Sequence, residues 1–202
     1  MEVYVKAKEL LAAAKFAYNK NETRSHYRRV MIESDEHNNY TLTATDTFKL
    51  IEINSTVVDA HGSAGKVSIP LKDIKDNIKA SDSVARIVTN EDKGIVGVVV
   101  YKGWGAKRER RISFECNEVP DNNLLGFCKG MLNDWGKDIE KDTTCMFVGA
   151  ALLGDICNAV TSVYGKNIGI DIAFSDSHKP IYFKASAEPY NYCRGILMPL
   201  RR

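Results

Sequence analysis

The order of apolar and polar positions divides the chain into short extended runs and three helices. Alternation typical of half-buried strands occurs over 2–5, 29–34, 40–45, 48–53 and 66–69, then over 84–89, 95–101 and 110–116. It returns over 145–148, 168–174, 181–185 and 195–199. Apolar residues at helical spacing mark "KELLAAAKFAYN" (8–19), with Leu10, Leu11, Ala14, Ala17 and Tyr18 on one face and Lys8, Ala12, Lys15 and Asn19 on the other. "LKDIKDNIKA" (71–80) follows Pro70 and repeats Leu71, Ile74 and Ile78, which places Lys72, Lys75 and Lys79 on one polar stripe. "AALLGDICNAVTSVYG" (150–165) sets Leu152, Leu153, Ile156, Val160 and Val163 inward, with Gly165 as its cap.

The succession strand, helix, three strands occurs at 2–53, again at 66–116 and a third time at 145–199. A repeated unit of this kind predicts an α+β fold in which each helix covers one face of an antiparallel sheet. The boundaries are 1–118 for the first two units, 119–143 for a connector and 144–202 for the third. The connector interrupts the pattern with Pro, Asn and Gly, and its Leu124, Leu125, Phe127, Met131 and Trp135 are expected to tuck against a core. In "ATDTFKLIEI" (44–53) two extended runs meet at Asp46 and Thr47. A short polar side chain there can bond its own backbone, but Phe48 and Leu50 are unusual beside a turn.

Composition narrows the functions. With 44% hydrophobic and 27% charged residues the chain has enough apolar mass for a packed core. No run approaches the roughly eighteen apolar residues of a membrane span, and the N-terminus lacks an apolar signal centre, so a cytoplasmic location and no membrane partner are expected. The net charge of +2, from 28 basic and 26 acidic residues, is too balanced for a protein that coats nucleic acid. Five widely spaced cysteines form no CxxC, so inert thiols are expected rather than a disulfide frame or zinc site. No cofactor or metal is expected: the four histidines are scattered, and "GSAGK" (62–66) lacks the spacing of a phosphate loop. A thiol enzyme would need a His–Cys pairing that the sequence does not display. The basic "YKGWGAKRERR" (101–111) reads as a charged hairpin tip around Trp104.

Four stretches, in order, carry a resemblance. "TRSHYRRVMIESDEHNNYTLTATDTFKLIEI", "VSIPLKDIKDNIK", "NEVPDNNLL" and the closing "GILMPLRR" resemble segments of the bacterial DNA polymerase III beta subunit, the sliding-clamp family. The resemblance implies the DNA-clamp fold, in which paired units form domains and six domains close a ring with helices lining the hole. The usual subunit has six units; this chain has three, so it resembles a shortened variant, and four chains would supply the twelve units of a ring. It also implies a non-catalytic processivity factor that tethers replication proteins to duplex DNA without reading sequence.

In that family a corner and the C-terminal tail form a pocket for peptides of polymerases and clamp loaders. The matching positions are Tyr27, Thr45, Thr47, Phe48, Lys49 and Leu50, with Ile196, Met198, Pro199, Leu200 and Arg201 from the tail. Lys49 stands for the family's arginine. Phosphate contacts would fall to Lys8, Lys15, Lys72, Lys75 and Lys79, with Arg24 of the Thr-Arg match beside them. The third helix offers Asp155, Asn158 and Ser162 instead, which predicts weak DNA affinity without enclosure. The alternative is a non-encircling clamp-derived module, an adaptor or competitor from a phage or mobile element. An isolated third unit would leave a sheet edge and part of its core uncovered, so pairing with another chain or with 117–143 is expected.

Overall fold

In the computed structural model, residues 2–21, 23–46, 48–57, 62–90, 95–101, 109–115, 122–133, 150–173, 180–188 and 191–198 are described. They form β1 (Glu2–Lys6), α1 (Ala7–Ala17), a 3-10 turn (Ser25–Arg28), β2 (Arg29–Ser34), β3 (Asn39–Thr45), β4 (Lys49–Thr56), β5 (Gly65–Pro70) and α2 (Leu71–Asn77). There follow β6 (Val84–Asn90), β7 (Ile95–Tyr101), β8 (Glu109–Glu115), α3 (Asn122–Asn133), α4 (Ala150–Tyr164), β9 (Asp171–Ala173), β10 (Ile181–Glu188) and β11 (Asn191–Leu197). The strand expected at 145–148 and the Trp104 tip lie outside the described residues, as do Trp135, Thr47, Pro199, Leu200 and Arg201.

The pairing of strands is not the one a local reading implies. β1 leaves β2–β4 and pairs antiparallel with β6, while β5 pairs with β2. The first two units therefore interlock, each lending its leading strand to the other's sheet. The results are a four-stranded sheet, β1-β6-β7-β8, and a seven-stranded sheet, β5-β2-β3-β4-β11-β10-β9. In the second, the third unit pairs with the first unit of the same chain and not with another chain or with 117–143 as expected, and among the described strands β9 ends the sheet. β11 pairs with β4 of the first unit, from Tyr192↔Asn54 to Leu197↔Lys49.

Strand alternation then assigns two faces to the long sheet. Val30, Ile32, Leu42, Ala44, Ile51, Ile53, Phe183, Cys193 and Leu197 point inward and share one core with the helices. α1 packs against both α2 and α4 and is buried nearly all round. Ala12, expected on its polar side, is buried, and only Lys8 and Lys15 remain exposed along it. The small Ala12–Ala14 run permits this close approach on several sides.

Glu9 is buried with α1, accepting hydrogen bonds from the Tyr40 hydroxyl at 2.5 Å and from Ser55 Oγ at 3.3 Å. Burial and the neighbouring carboxylate push the Tyr40 hydroxyl well above its ordinary pKa.

Helix α2 is shorter than its pattern. Ile78 turns extended (φ −96°, ψ 131°) to reach the core, and the Lys79 amide donates to Asp82 Oδ2 at 2.7 Å. Lys79 therefore sits in a turn beyond the helix, off the stripe of Lys72 and Lys75. In α4, Ile156, Ala159, Val160 and Val163 are buried, but Leu153 is exposed at the margin of the apolar arc.

The outer face of the long sheet carries Met31, Glu33, Leu50, Glu52, Tyr182, Arg194 and Ile196. α3 lies over it, so residues 122–133 of the connector are helical. Leu132 is 1% exposed against Met31, Leu50 and Ile196. Phe127, expected to tuck in, is 64% exposed. The side chains of Leu124 and Leu125 lie outside the described residues.

Candidate functional site

The corner at residues 44–50 is built by Asp46. Its Oδ1 accepts the amide protons of Phe48 at 3.1 Å and Lys49 at 3.0 Å, closing an Asx turn. The Asp46 amide donates to the Lys49 carbonyl at 3.2 Å, and Thr45 Oγ1 donates to the same oxygen at 2.9 Å. Burial raises the Asp46 carboxyl above its ordinary value, against the opposing pull of the two amides.

The tail meets this corner. The Met198 amide donates to the Phe48 carbonyl at 2.8 Å, continuing the ladder in which Ile196 faces Leu50. Phe48 is 61% exposed and Met198 36% exposed, above Leu50 and Ile196, which are buried. Apolar side chains of the corner and the tail thus stand exposed at the margin of this buried apolar cluster, the candidate slot. Tyr27, Met131 and Tyr182 pack at its flanks, with Met31 and Leu132 inside. Arg24 stands 4.4 Å over the Tyr27 ring, on this side of the molecule.

Gly195 makes the seam possible. A Cβ there would lie 2.1 Å from the Leu50 carbonyl oxygen and 2.5 Å from Phe183 Cε1. Only glycine lets β11 approach β4 with the Phe183 ring beneath it.

Lys49 is a correction. Because Leu50 faces the slot, Lys49 and Ile51 face the helices. The Lys49 side chain is buried, 5.3 Å over the Phe16 ring, and its Nζ reaches Asp155 of α4 at 2.5 Å. It ties the third unit to the first rather than lining the slot. Arg194 does the same on the outer face, donating from Nε to Glu52 Oε1 at 2.8 Å.

The basic positions separate in the same way. Lys8 Nζ donates to the Val163 carbonyl at 2.8 Å, satisfying the C-terminal turn of α4. Lys75 Nζ stands 3.1 Å over the Tyr18 ring. Lys15, Lys72 and Lys79 are exposed. Lys15 borders a groove of about 350 Å³ between α1 and α4, shared with Asp155, Asn158 and Ser162, which dilute its charge.

Four residues of the slot were not assigned to it from the sequence: Met31, Met131, Tyr182 and Leu132. For Leu132 a signal existed. Leu124, Leu125, Cys128, Met131 and Leu132 recur at helical spacing, behind Pro120, Gly126 and Gly130, which read as a loop.

A larger cavity of about 830 Å³ lies at the other end of β2–β4 among Glu33, Asp35, Asn39, Thr41, Asn54 and Thr56. These side chains bond one another, Thr41 to Asn54 at 2.6 Å and Asn39 to Asp35 at 2.8 Å, as in a solvated groove. Among the described residues no group of three His, Cys, Asp or Glu side chains could hold a metal, and no helix is long and apolar enough to cross a membrane. Cys157 is exposed. Cys193 is buried, and burial pushes its thiol well above the usual range.

Neither a protein-family model nor a curated protein matches the sequence. Solved structures do match. The DNA polymerase sliding clamp from Bacillus subtilis is similar at a TM-score of 0.63 and 14% identity over 100% of this chain. The beta subunit from the DNA polymerase of Streptococcus pyogenes is similar at 0.60 and 11%, again over 100%. DNA polymerase III subunit beta from Borrelia burgdorferi is similar at 0.57 and 12% over 100%. The chain spans 64%, 66% and 63% of those three chains. Its fold is the α+β fold of bacterial sliding clamps.

Proposed function

We propose that this chain is a non-catalytic, sliding-clamp-like processivity factor that holds replication proteins on duplex DNA in the cytoplasm. Residues 1–118 serve as one clamp-like domain and 144–202 as half of another. Partner peptides of polymerase or loader dock in the slot between corner and tail. The observation that carries this reading is the hydrogen bond from Met198 to the Phe48 carbonyl, which brings two exposed apolar residues together next to buried Leu50 and Ile196. An apolar slot with a fixed backbone edge suits short apolar peptides. Each Leu or Phe anchor buried in it contributes about 1.5–3 kcal/mol.

Tethering works by mass action: a polymerase held at the template rebinds intramolecularly, at an effective concentration set by the tether. Lys15, Lys72 and Lys79 supply salt-sensitive phosphate contacts without a base code, and assembly into a closed ring of several chains supplies retention. The commitment of Lys8 and Lys75 to protein contacts favours a second reading, in which the chain keeps the slot but does not encircle DNA.

The test is fluorescence polarisation with a labelled hexapeptide carrying Leu and Phe anchors. Phe48→Ala and Met198→Ala should each weaken binding about tenfold, and unchanged affinity in both would refute the slot. Salt-resistant retention on nicked circular DNA, lost when the circle is cut, separates the clamp from the adaptor.

A further inference from the structure

We infer that α3 is a displaceable strap: the chain seats its own Leu132 where a partner's apolar anchor would go, so docking requires α3 to leave. The inference rests on the reading of the slot given above and adds its regulation.

The seat is specific. Leu132 lies between Leu50 of the corner strand, Ile196 of the tail strand and Met31 of β2, and is the buried side chain that α3 contributes to that cluster. An anchor descending past Phe48 and Met198 to Leu50 and Ile196 meets Leu132 first. The rim is open while the floor is taken.

Among the described residues, few contacts besides Leu132 and Met131 hold α3. Lys129 is ion-paired with Glu33 of β2, at a side chain 42% exposed. Arg194 Nη1 reaches the Leu132 carbonyl and Nη2 reaches Asn133 Oδ1, both at a long 3.4 Å. The helix has little stability of its own. It is 12 residues long and contains Gly126 and Gly130, at neither of which would a Cβ meet another element among the described residues. Its Phe127 faces solvent. A helix that depends on docking for its order is one that a competitor for its docking residue releases.

The consequence is quantitative. A partner meets a slot of which only the strap-free fraction is competent, so its apparent affinity falls by that fraction. Loosening the strap must therefore tighten partner binding, the opposite of what removing a wall of the pocket would do.

The experiment uses the full chain and the labelled hexapeptide with Leu and Phe anchors. Leu132→Asp should bind it about tenfold more tightly than the unmodified chain, and Lys129→Glu about threefold more tightly. In the unmodified chain, hydrogen exchange of residues 122–133 should accelerate when peptide is added. Lys129→Glu alters only a partly exposed ion pair and, with the exchange measurement, decides the matter should Leu132→Asp not fold. Peptide binding that is equal or weaker in the variants, with exchange over 122–133 unchanged or slowed, makes α3 a fixed wall and overturns the strap while leaving the slot standing. Failure of the peptide to bind any of these chains overturns the slot and the strap together.

Discussion

Replacing Gly195 with alanine tests the seam on which the slot depends. The added methyl would sit 2.1 Å from the Leu50 carbonyl oxygen and 2.5 and 2.6 Å from two carbons of the Phe183 ring. Neither neighbour can yield cheaply. The oxygen belongs to the β4 backbone, and the Phe183 ring is fully buried with its centroid 5.9 Å from that of Phe16. Overpacking that forces side chains off their rotamers and shifts the backbone costs about 1–3 kcal/mol, occasionally more. Here the obstacle is backbone in the middle of a ladder of six residue pairs, so we expect the upper end, about 3 kcal/mol, in urea denaturation. The displaced strand carries Ile196 and Met198, so peptide affinity should fall with stability. Gly97→Ala is the control: its Cβ would meet only the Val88 carbonyl oxygen, at an ordinary 3.7 Å. That change should lie between zero and a gain of about 1 kcal/mol, through the unfolded chain. A Gly195→Ala protein within about 1 kcal/mol of the parent, with its peptide affinity intact, would refute the claim that strand approach at this residue builds the slot.

Further outcomes follow from the same geometry. Burial alone would raise the Glu33 carboxyl, but the hydrogen bonds from Lys129 and Lys66 outweigh it and hold it below the ordinary 4.5. A depressed folded value means the clasp on α3 is complete above 4.5 and is lost as pH falls through the folded value; protection over 122–133, taken relative to the intrinsic exchange rate at each pH, should drop in acid, and Glu33→Gln should remove the step. Asp155→Ala leaves Lys49 buried without its carboxylate and should cost about 2 kcal/mol by thermal or urea unfolding, whereas Lys49→Met leaves a half-exposed carboxylate to water and should cost less than about 1 kcal/mol. Gly126→Ala with Gly130→Ala should stabilise α3 by about 0.5–1 kcal/mol per site and, by strengthening the strap, weaken hexapeptide binding in the polarisation assay.

Much of the fold was legible because it is local. Alternation located the described strands to within a few residues at each end, and Asp46 announced its turn through the chemistry of a short side chain beside its own amides. Which strands pair was not legible. β1 through β6 share the same alternation, and nothing within β1 says that it joins β6 rather than β2. Lys8 and Lys75 read as surface charge because their partners, Val163 and the ring of Tyr18, come from other elements or from a helix end. Lys49 is a different kind of miss. Period two already placed it opposite Leu50, but aligning it with the family's arginine assigned a residue without asking which face it occupies.

The seam joins these observations into one physical statement. β11 is attached to β4 by its ladder, and a charged pair reinforces the junction on each face: Lys49 with Asp155 among the helices, Arg194 with Glu52 on the outside. The slot is the outer groove of that same junction, so its walls exist only while the third unit is docked on the first. Arg194 also touches the end of α3, which links the strap to the residue that fastens the seam. Binding energy delivered to Leu50 and Ile196 therefore acts on the attachment of the third unit as well as on the strap. A partner that replaces Leu132 substitutes its own apolar contact for the lost one, and the two strands stay clamped while α3 is freed.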